Sequence, residues 1–259
     1  MNDLQIRVHG DSSKPTHIYL PGLHGDWTLV SSFRQAMKDS VQFVEFTYPR
    51  TLNWSLHEHA EAILGALRKN QITQGWLLAE SFGSILAWAV LEKDFAAQGV
   101  ILAGGFVRYP FMPLVRLAHW LNSGLPNWGF VAFCRFYAAY AKLRHRNAPE
   151  TFEAVNEFLR RRTEPGDREA LCHRYRLIQQ SDARILVRSL KIPVYHLCGV
   201  FDPIVPWWAV RKSLLRGCAT FRNSSLIWRA DHNVLGTAPG QAAERIMAWI
   251  RCSEAAAPG

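Results

Sequence analysis

The sequence is poor in cysteine, and the few it has are badly arranged for cross-linking. Five residues (Cys134, Cys172, Cys198, Cys218 and Cys252) are scattered through 259 positions, odd in number and without C-x-x-C spacing. That pattern argues against a disulfide framework or a zinc site and suits a reducing, cytoplasmic compartment. Cys134 and Cys198 lie in apolar runs and read as packing. Long apolar runs are also missing, so no membrane span is expected, and Met1–His9 is too short and too charged for a secretory leader. No internal repeat is present, and the only low-complexity stretch is the small-residue tail Ser253–Gly259, which reads as disordered. The formal charge of +9 is not gathered into a nucleic-acid site. Basic residues are spread along the chain with no tract longer than Arg160–Arg162, and no nucleic-acid-binding motif is found. Nucleic acid is therefore not an expected partner, and any membrane contact is at most peripheral.

What is present is a long chain with the composition of a globular protein, enough for one large domain or a core with an insertion. Leu4–Val8, His17–Leu20, Val41–Phe46, Trp76–Ala79 and Gly99–Ala103 read as strands, several of them uniformly apolar. Helical spacing marks Trp27–Lys38, Leu56–Arg68 and a stretch from near Phe82 to about Lys93 between them. Such alternation predicts an α/β fold with a mostly parallel central sheet and helices on both faces. The alternation stops after Gly105. Residues 106–190 show no strand; they are rich in aromatics and then arginine, with helices expected at Phe152–Arg161 and Arg168–Gln179. Strand and helix return at Pro193–Cys198, Trp207–Leu215, Ser225–Trp228 and Gly240–Arg251. The expected organisation is a core of residues 1–105 and 191–259 with an inserted helical cap, 106–190.

The stretch Gly75–Val90, GWLLAESFGSILAWAV, runs a buried strand sharply into a helix with Ser81 at the corner. Small residues two positions either side, Ala79 and Gly83, let the two backbones approach. A strained corner residue pushes its hydroxyl above the sheet, which is a way to present a nucleophile. The plainer reading is a serine capping the helix after it. A serine hydroxyl needs a base, and the base needs a group to hold its tautomer. In parallel sheets these belong on loops after strand carboxyl ends. Asp202 comes after one such strand, although Asp-Pro is also a turn signal. His232 comes after the last strand, although a histidine there also serves as packing. The order Ser81, Asp202, His232 matches a known triad arrangement.

On LPGLHG at Leu20–Gly25, AESFG at Ala79–Gly83, GVFDPIVP at Gly199–Pro206 and ADHNVL at Ala230–Leu235, the sequence resembles the α/β-hydrolase superfamily over nearly all of the chain except the cap. The resemblance implies Ser81 as nucleophile, His232 as general base and then acid, Asp202 as its orienting carboxylate, and the backbone N–H groups of Leu23 and Phe82 as an oxyanion hole. It requires no cofactor. Ala79 departs from the usual elbow glycine. Asp231 stands where a glycine commonly precedes the histidine, as a solvated loop charge able to compete with Asp202. His24 has no partner at metal-ligand spacing and is expected to shape the oxyanion loop, with no metal site. Glu80 lies either beneath the elbow, as a buttress, or in solvent. A serine at position 81 excludes the dehalogenase and epoxide-hydrolase branches, which use aspartate there.

The implied chemistry is acyl transfer from an ester or related carbonyl compound to water, on a small, partly apolar substrate. Two alternatives stay open: an acyltransferase on the same scaffold, and a non-catalytic binding protein with a basic surface. The cap aromatics suit an apolar pocket or plain packing, and one of Arg108, Arg116, Arg135 and Arg144 is a candidate carboxylate clamp among solvated helix faces. Oligomeric state is not legible.

Overall fold

Alternating side chains in the strands decide which helices cover which face. The computed structural model describes residues 3–144, 149–164 and 166–255. Its seven strands are β1 (Gln5–His9), β2 (Thr16–Leu20), β3 (Gln42–Thr47), β4 (Gln74–Glu80), β5 (Ala96–Ala103), β6 (Val194–Gly199) and β7 (Phe221–Ile227). They form one sheet in the order β1-β3-β2-β4-β5-β6-β7, with β1 antiparallel to β3 and every other pair parallel. Ile18, Leu77 and Val100 point to one face, where α2 (Leu56–Lys69) and α3 (Gly83–Leu91) cover them. Their neighbours Tyr19, Leu78 and Ile101 point to the other, under α1 (Ser31–Met37) and α11 (Pro239–Ala255). Burial on both faces explains the uniformly apolar strands. The charge inside β3, Glu45, is tolerated because Arg34 donates to both of its oxygens at 2.8 and 2.6 Å. Helix α2 starts where Ser55 and Glu58 form a reciprocal capping box.

Between β5 and β6 lie α4 (Met112–Gly124), α5 (Asn127–Arg144), α6 (Pro149–Arg162), α7 (Asp167–Gln180) and α8 (Arg184–Ser189), with no strand among the described residues. Of these only α6 and α7 are expected from the sequence; α5 carries apolar residues on all sides, which hides its period. Helices α6 and α7 are tied to the loops above the sheet by buried ion pairs. Asp26, after β2, accepts from Arg161 at 3.0 Å and lies 3.5 Å from Arg162. Asp167, at the start of α7, accepts from Arg50 at 2.9 Å. Buried pairs of this kind contribute little net stability against hydrophobic substitutes, but removing one partner is costly.

After β6 come α9 (Trp207–Gly217) and, beyond β7, the short α10 (Val234–Thr237). Several boundaries differ from expectation, among them the start of β5, at Ala96 and not at Gly99. The last strand begins at Phe221, not Ser225, and ends before Trp228, because the polar residues of this edge strand hide its alternation. The expected helix Trp27–Lys38 opens as a single 3₁₀ turn, Thr28–Val30, before α1. Residues Ser253–Ala255 are helical, and the Ser253 hydroxyl lies 2.7 Å from that of Tyr195; the rest of the expected tail lies outside the described residues. Among the described residues no helix is long and apolar enough to cross a membrane.

The tightest joint is between α3 and β2. A Cβ at Gly83 would lie 2.1 Å from the Leu20 carbonyl oxygen and 2.9 Å from that of Pro21, both main-chain atoms. Gly65, in α2, has open space around it. Replacing each by alanine should have opposite signs: Gly83→Ala should destabilise by about 1–3 kcal/mol through overpacking, and Gly65→Ala should stabilise by about 0.5–1 kcal/mol, read from urea unfolding midpoints.

Candidate active site

Ser81 stands between the last residue of β4 and the first of α3 with φ of +48°, in the left-handed region that non-glycine residues rarely occupy. Its conformation is held at both its N–H and its carbonyl. The Ser81 N–H donates to Ala103 O at 3.2 Å. Its carbonyl accepts from the Ser84 hydroxyl at 2.6 Å, and that hydroxyl accepts from Phe106 N–H at 3.1 Å. Its side chain does not cap the helix beyond it: the N-cap position of α3 is Phe82, without a side-chain cap bond.

The Ser81 hydroxyl lies instead 2.9 Å from His232 Nε2, in the loop between β7 and α10. On the other side of the ring, His232 Nδ1 donates to Asp202 Oδ2 at 2.8 Å. A carboxylate can only accept here, so the proton sits on Nδ1 and the lone pair of Nε2 faces Ser81. The turn reading of Asp202 holds at the same time, because its other oxygen accepts from the N–H groups of Ile204 and Val205 at 2.8 and 2.9 Å. The Asp202 and His232 loops are fastened to each other: Phe201 N–H donates to Ala230 O at 3.1 Å. A Cβ at Gly199 would lie 2.3 Å from that same oxygen.

Burial lowers the basicity of His232, but the Asp202 hydrogen bond and the carboxylates of Asp202, Glu80 and Asp231 outweigh it, so its pKa lies above the ordinary imidazole value. Asp231 therefore acts in the same direction as Asp202 and does not compete with it. It is half-buried and accepts from Asn233 N–H at 3.0 Å.

Glu80 is buried beneath the corner and accepts from the Tyr19 hydroxyl. Burial pushes its carboxyl pKa up, against the pull of Tyr19, His232 and the Gly22 N–H. The solvent-facing alternative is thereby removed. His24 packs edge-on to Phe158, with ring centroids 5.2 Å apart. Burial pushes its pKa down to about 4, with arginines Arg162 and Arg174 adding to the effect and Asp26 opposing it, so it is neutral near pH 7. Among the described residues no group of three His, Cys, Asp or Glu side chains could hold a metal ion.

Leu23 and His24 belong to the loop after β2, which turns on a Gly25 N–H to Gly22 O bond of 2.9 Å. Two arginines hold this loop from the inserted helices. Arg174 of α7 donates to Leu23 O at 2.9 Å and to Pro49 O at 3.1 Å. Arg162 of α6 donates to Gly25 O. Burial brings the Arg174 pKa down to about 9, which still leaves it charged near neutral pH. Neither arginine stands out in the sequence, since a run of arginines on a helix reads as a solvated face. Of the four arginines considered as clamps, Arg116 and Arg135 are exposed and Arg108 lies 3.6 Å from Asp182. The side chain of Arg144 lies outside the described residues.

Ser81, His232, Glu80, Leu23 and His24 all line one cavity of about 330 Å³. Asp202 is not among its lining residues and stands behind His232; Phe82 is fully buried against Tyr48. Most of the remaining wall is apolar, with Phe106, Leu114, Phe130 and Ile178 among its side chains, and Arg162, Asp167 and Arg174 form a charged portion.

The sequence matches no family model and no curated protein. Solved structures do match. An esterase from Thermogutta terrifontis superposes with a TM-score of 0.72 at 18% identity, covering 96% of this chain and 93% of its own. An enol-lactonase from Burkholderia xenovorans gives 0.77 at 14% identity, covering 96% of each chain. An esterase from Exiguobacterium antarcticum gives 0.77 at 12% identity, covering 96% and 95%. Sheet order, helix placement and these superpositions agree on one architecture: the chain has the α/β-hydrolase fold.

Proposed function

We propose that the protein is a serine hydrolase, carboxylesterase-like, that cleaves an ester or related carbonyl substrate through an acyl-enzyme. The observation that carries this reading is the 2.9 Å approach of the Ser81 hydroxyl to a histidine whose other nitrogen is held by a carboxylate. As Ser81 Oγ attacks the carbonyl carbon, His232 Nε2 takes its proton, and Asp202 stabilises the imidazolium that forms. The carbonyl oxygen gains the negative charge and is met by the backbone N–H groups of Leu23 and Phe82. His232 then returns its proton to the leaving alcohol. In the second half it takes a proton from water, whose oxygen attacks the acyl carbon; the acid leaves and Ser81 recovers its hydrogen.

Residues 106–190 act in this reading as a cap that closes the site and supplies the apolar wall. The arginine bonds to Leu23 O and Gly25 O make oxyanion-loop geometry depend on that cap being docked, while Glu80 buttresses the corner from below. The solved structures named as esterases and as an enol-lactonase support carbonyl chemistry at such a site. The five free cysteines suit a cytoplasmic enzyme.

Ser81→Ala should lower hydrolysis of p-nitrophenyl esters by about 10⁴-fold or more, and should abolish covalent labelling by a fluorophosphonate that marks the wild type. An unlabelled wild type, or a variant that keeps its turnover, contradicts the proposal.

The base must be neutral to accept a proton, so activity rises with pH through the His232 pKa. Because that pKa is raised, the acid limb of kcat/KM should lie above the ordinary imidazole value of about 6.5. Asp202→Asn removes the two largest raising contributions. It should move the limb to lower pH and cut the plateau by about 10³–10⁴-fold.

A further inference from the structure

Helices α4 and α5 carry large apolar side chains that no other described residue covers. On α4, Leu114, Leu117 and Leu121 recur at helical spacing and are about half exposed, and Trp120 beside them is 71% exposed. On α5, Trp128 and Phe136 are 77% and 73% exposed, with Phe133 and Tyr140 on the same side. Single exposed leucines are ordinary, but large apolar side chains gathered on two successive helices are not.

The charge carried by this stretch of the chain itself has one sign. Between Asp94 and Glu150 the sequence contains no aspartate or glutamate, while it contains Arg108, Arg116, Arg135, Lys142, Arg144 and Arg146. Arg116 and Arg135 are exposed on α4 and α5 themselves. Tryptophan and tyrosine favour the headgroup level of a bilayer, and basic amphipathic helices lie in that plane. Neither helix meets the length and apolarity of a span, so the face is suited to lying on a bilayer and not to crossing it.

We infer that the α4–α5 face docks on an anionic lipid surface, with Trp120, Trp128 and Phe136 in the headgroup layer and Arg116 and Arg135 against lipid phosphates. Charge complementarity selects this occupant over a second copy of the chain. A two-fold contact through the same face would bring arginines towards arginines with no carboxylate in the segment to pair with them. The face is also continuous with the cavity. Leu114, Phe133 and Tyr137 are exposed and line the cavity that holds Ser81. Docking therefore opens an apolar route from the acyl phase to the site. That route alone rests on the hydrolase reading; the docking does not.

The test uses full-length Ser81→Ala protein, so that binding is read without turnover. It is floated with vesicles of equal parts phosphatidylcholine and phosphatidylglycerol, with phosphatidylcholine alone, and without lipid. The protein should float with the anionic vesicles, and added salt should weaken it. Trp120→Ser/Trp128→Ser/Phe136→Ser, at positions that do not line the cavity, should lower the partition coefficient at least about tenfold with an unchanged melting temperature. In the wild-type background the same variant should keep its hydrolysis of a water-soluble ester. Quenching of wild-type tryptophan fluorescence by brominated lipid, lost in Trp120→Ser/Trp128→Ser, reads the same contact independently. No flotation, flotation undiminished in the triple variant, or a concentration-dependent dimer in sedimentation that the triple variant abolishes would each overturn the inference. If docking holds while wild-type Ser81 proves unreactive, only the hydrolase reading fails.

Discussion

The structure depends on the closeness of α3 to the carboxyl end of β2. There is no room for a side chain at Gly83, because the Leu20 carbonyl oxygen occupies the space a Cβ would take. With the helix held that near, the chain has to reverse within one residue, and Ser81 takes the left-handed conformation as a result. Ala103, Ser84 and Phe106 then supply the hydrogen bonds that make the strained corner the stable one. The same closeness sets the end of β2, and so the loop carrying Leu23, beside the start of α3.

Electrostatics at the site are organised around burial. His232 is encircled by three carboxylates, of which Asp202 makes the direct bond while Glu80 and Asp231 act through their fields. Opposite them, arginines from α6 and α7 place positive charge against main-chain carbonyls of the loops above the sheet. Arg174 donates to carbonyl oxygens, which does not neutralise its charge, whereas Arg162 is also paired with Asp26 and Asp167 at 3.5 and 3.4 Å. Arg174 thereby fixes loop position while keeping positive charge in the cavity wall. The inserted helices thus contribute both a wall and a strut, which joins their docking to the geometry beside Ser81.

Much of this is legible in the sequence where the local rule and the tertiary need coincide. Uniformly apolar strands mark the parallel sheet, and the short spacing Ala79–Ser81–Gly83 marks the corner, because both patterns arise from backbone proximity. Asp202 and His232 are legible because a parallel sheet gathers the loops at the carboxyl ends of its strands on one edge. Residues that work through distant partners are not legible. Arg162 and Arg174 read as solvated charges because their carbonyl partners, Gly25, Leu23 and Pro49, lie more than a hundred positions away. Ser84 reads as an ordinary helix residue, since its role needs Phe106. The start of β7 is hidden by the polar residues of an edge strand, and α5 by apolar residues on every side.

The central claim is that residue 81 presents its oxygen to an electrophile whose own oxygen meets the N–H groups of Leu23 and Phe82. The most direct measurement is a crystal structure of the wild type after reaction with a phosphonate ester. The account predicts phosphorus bonded to Ser81 Oγ, with one phosphonyl oxygen within hydrogen-bonding distance of both N–H groups. Phosphorus on another residue, or that oxygen turned to solvent, would contradict it.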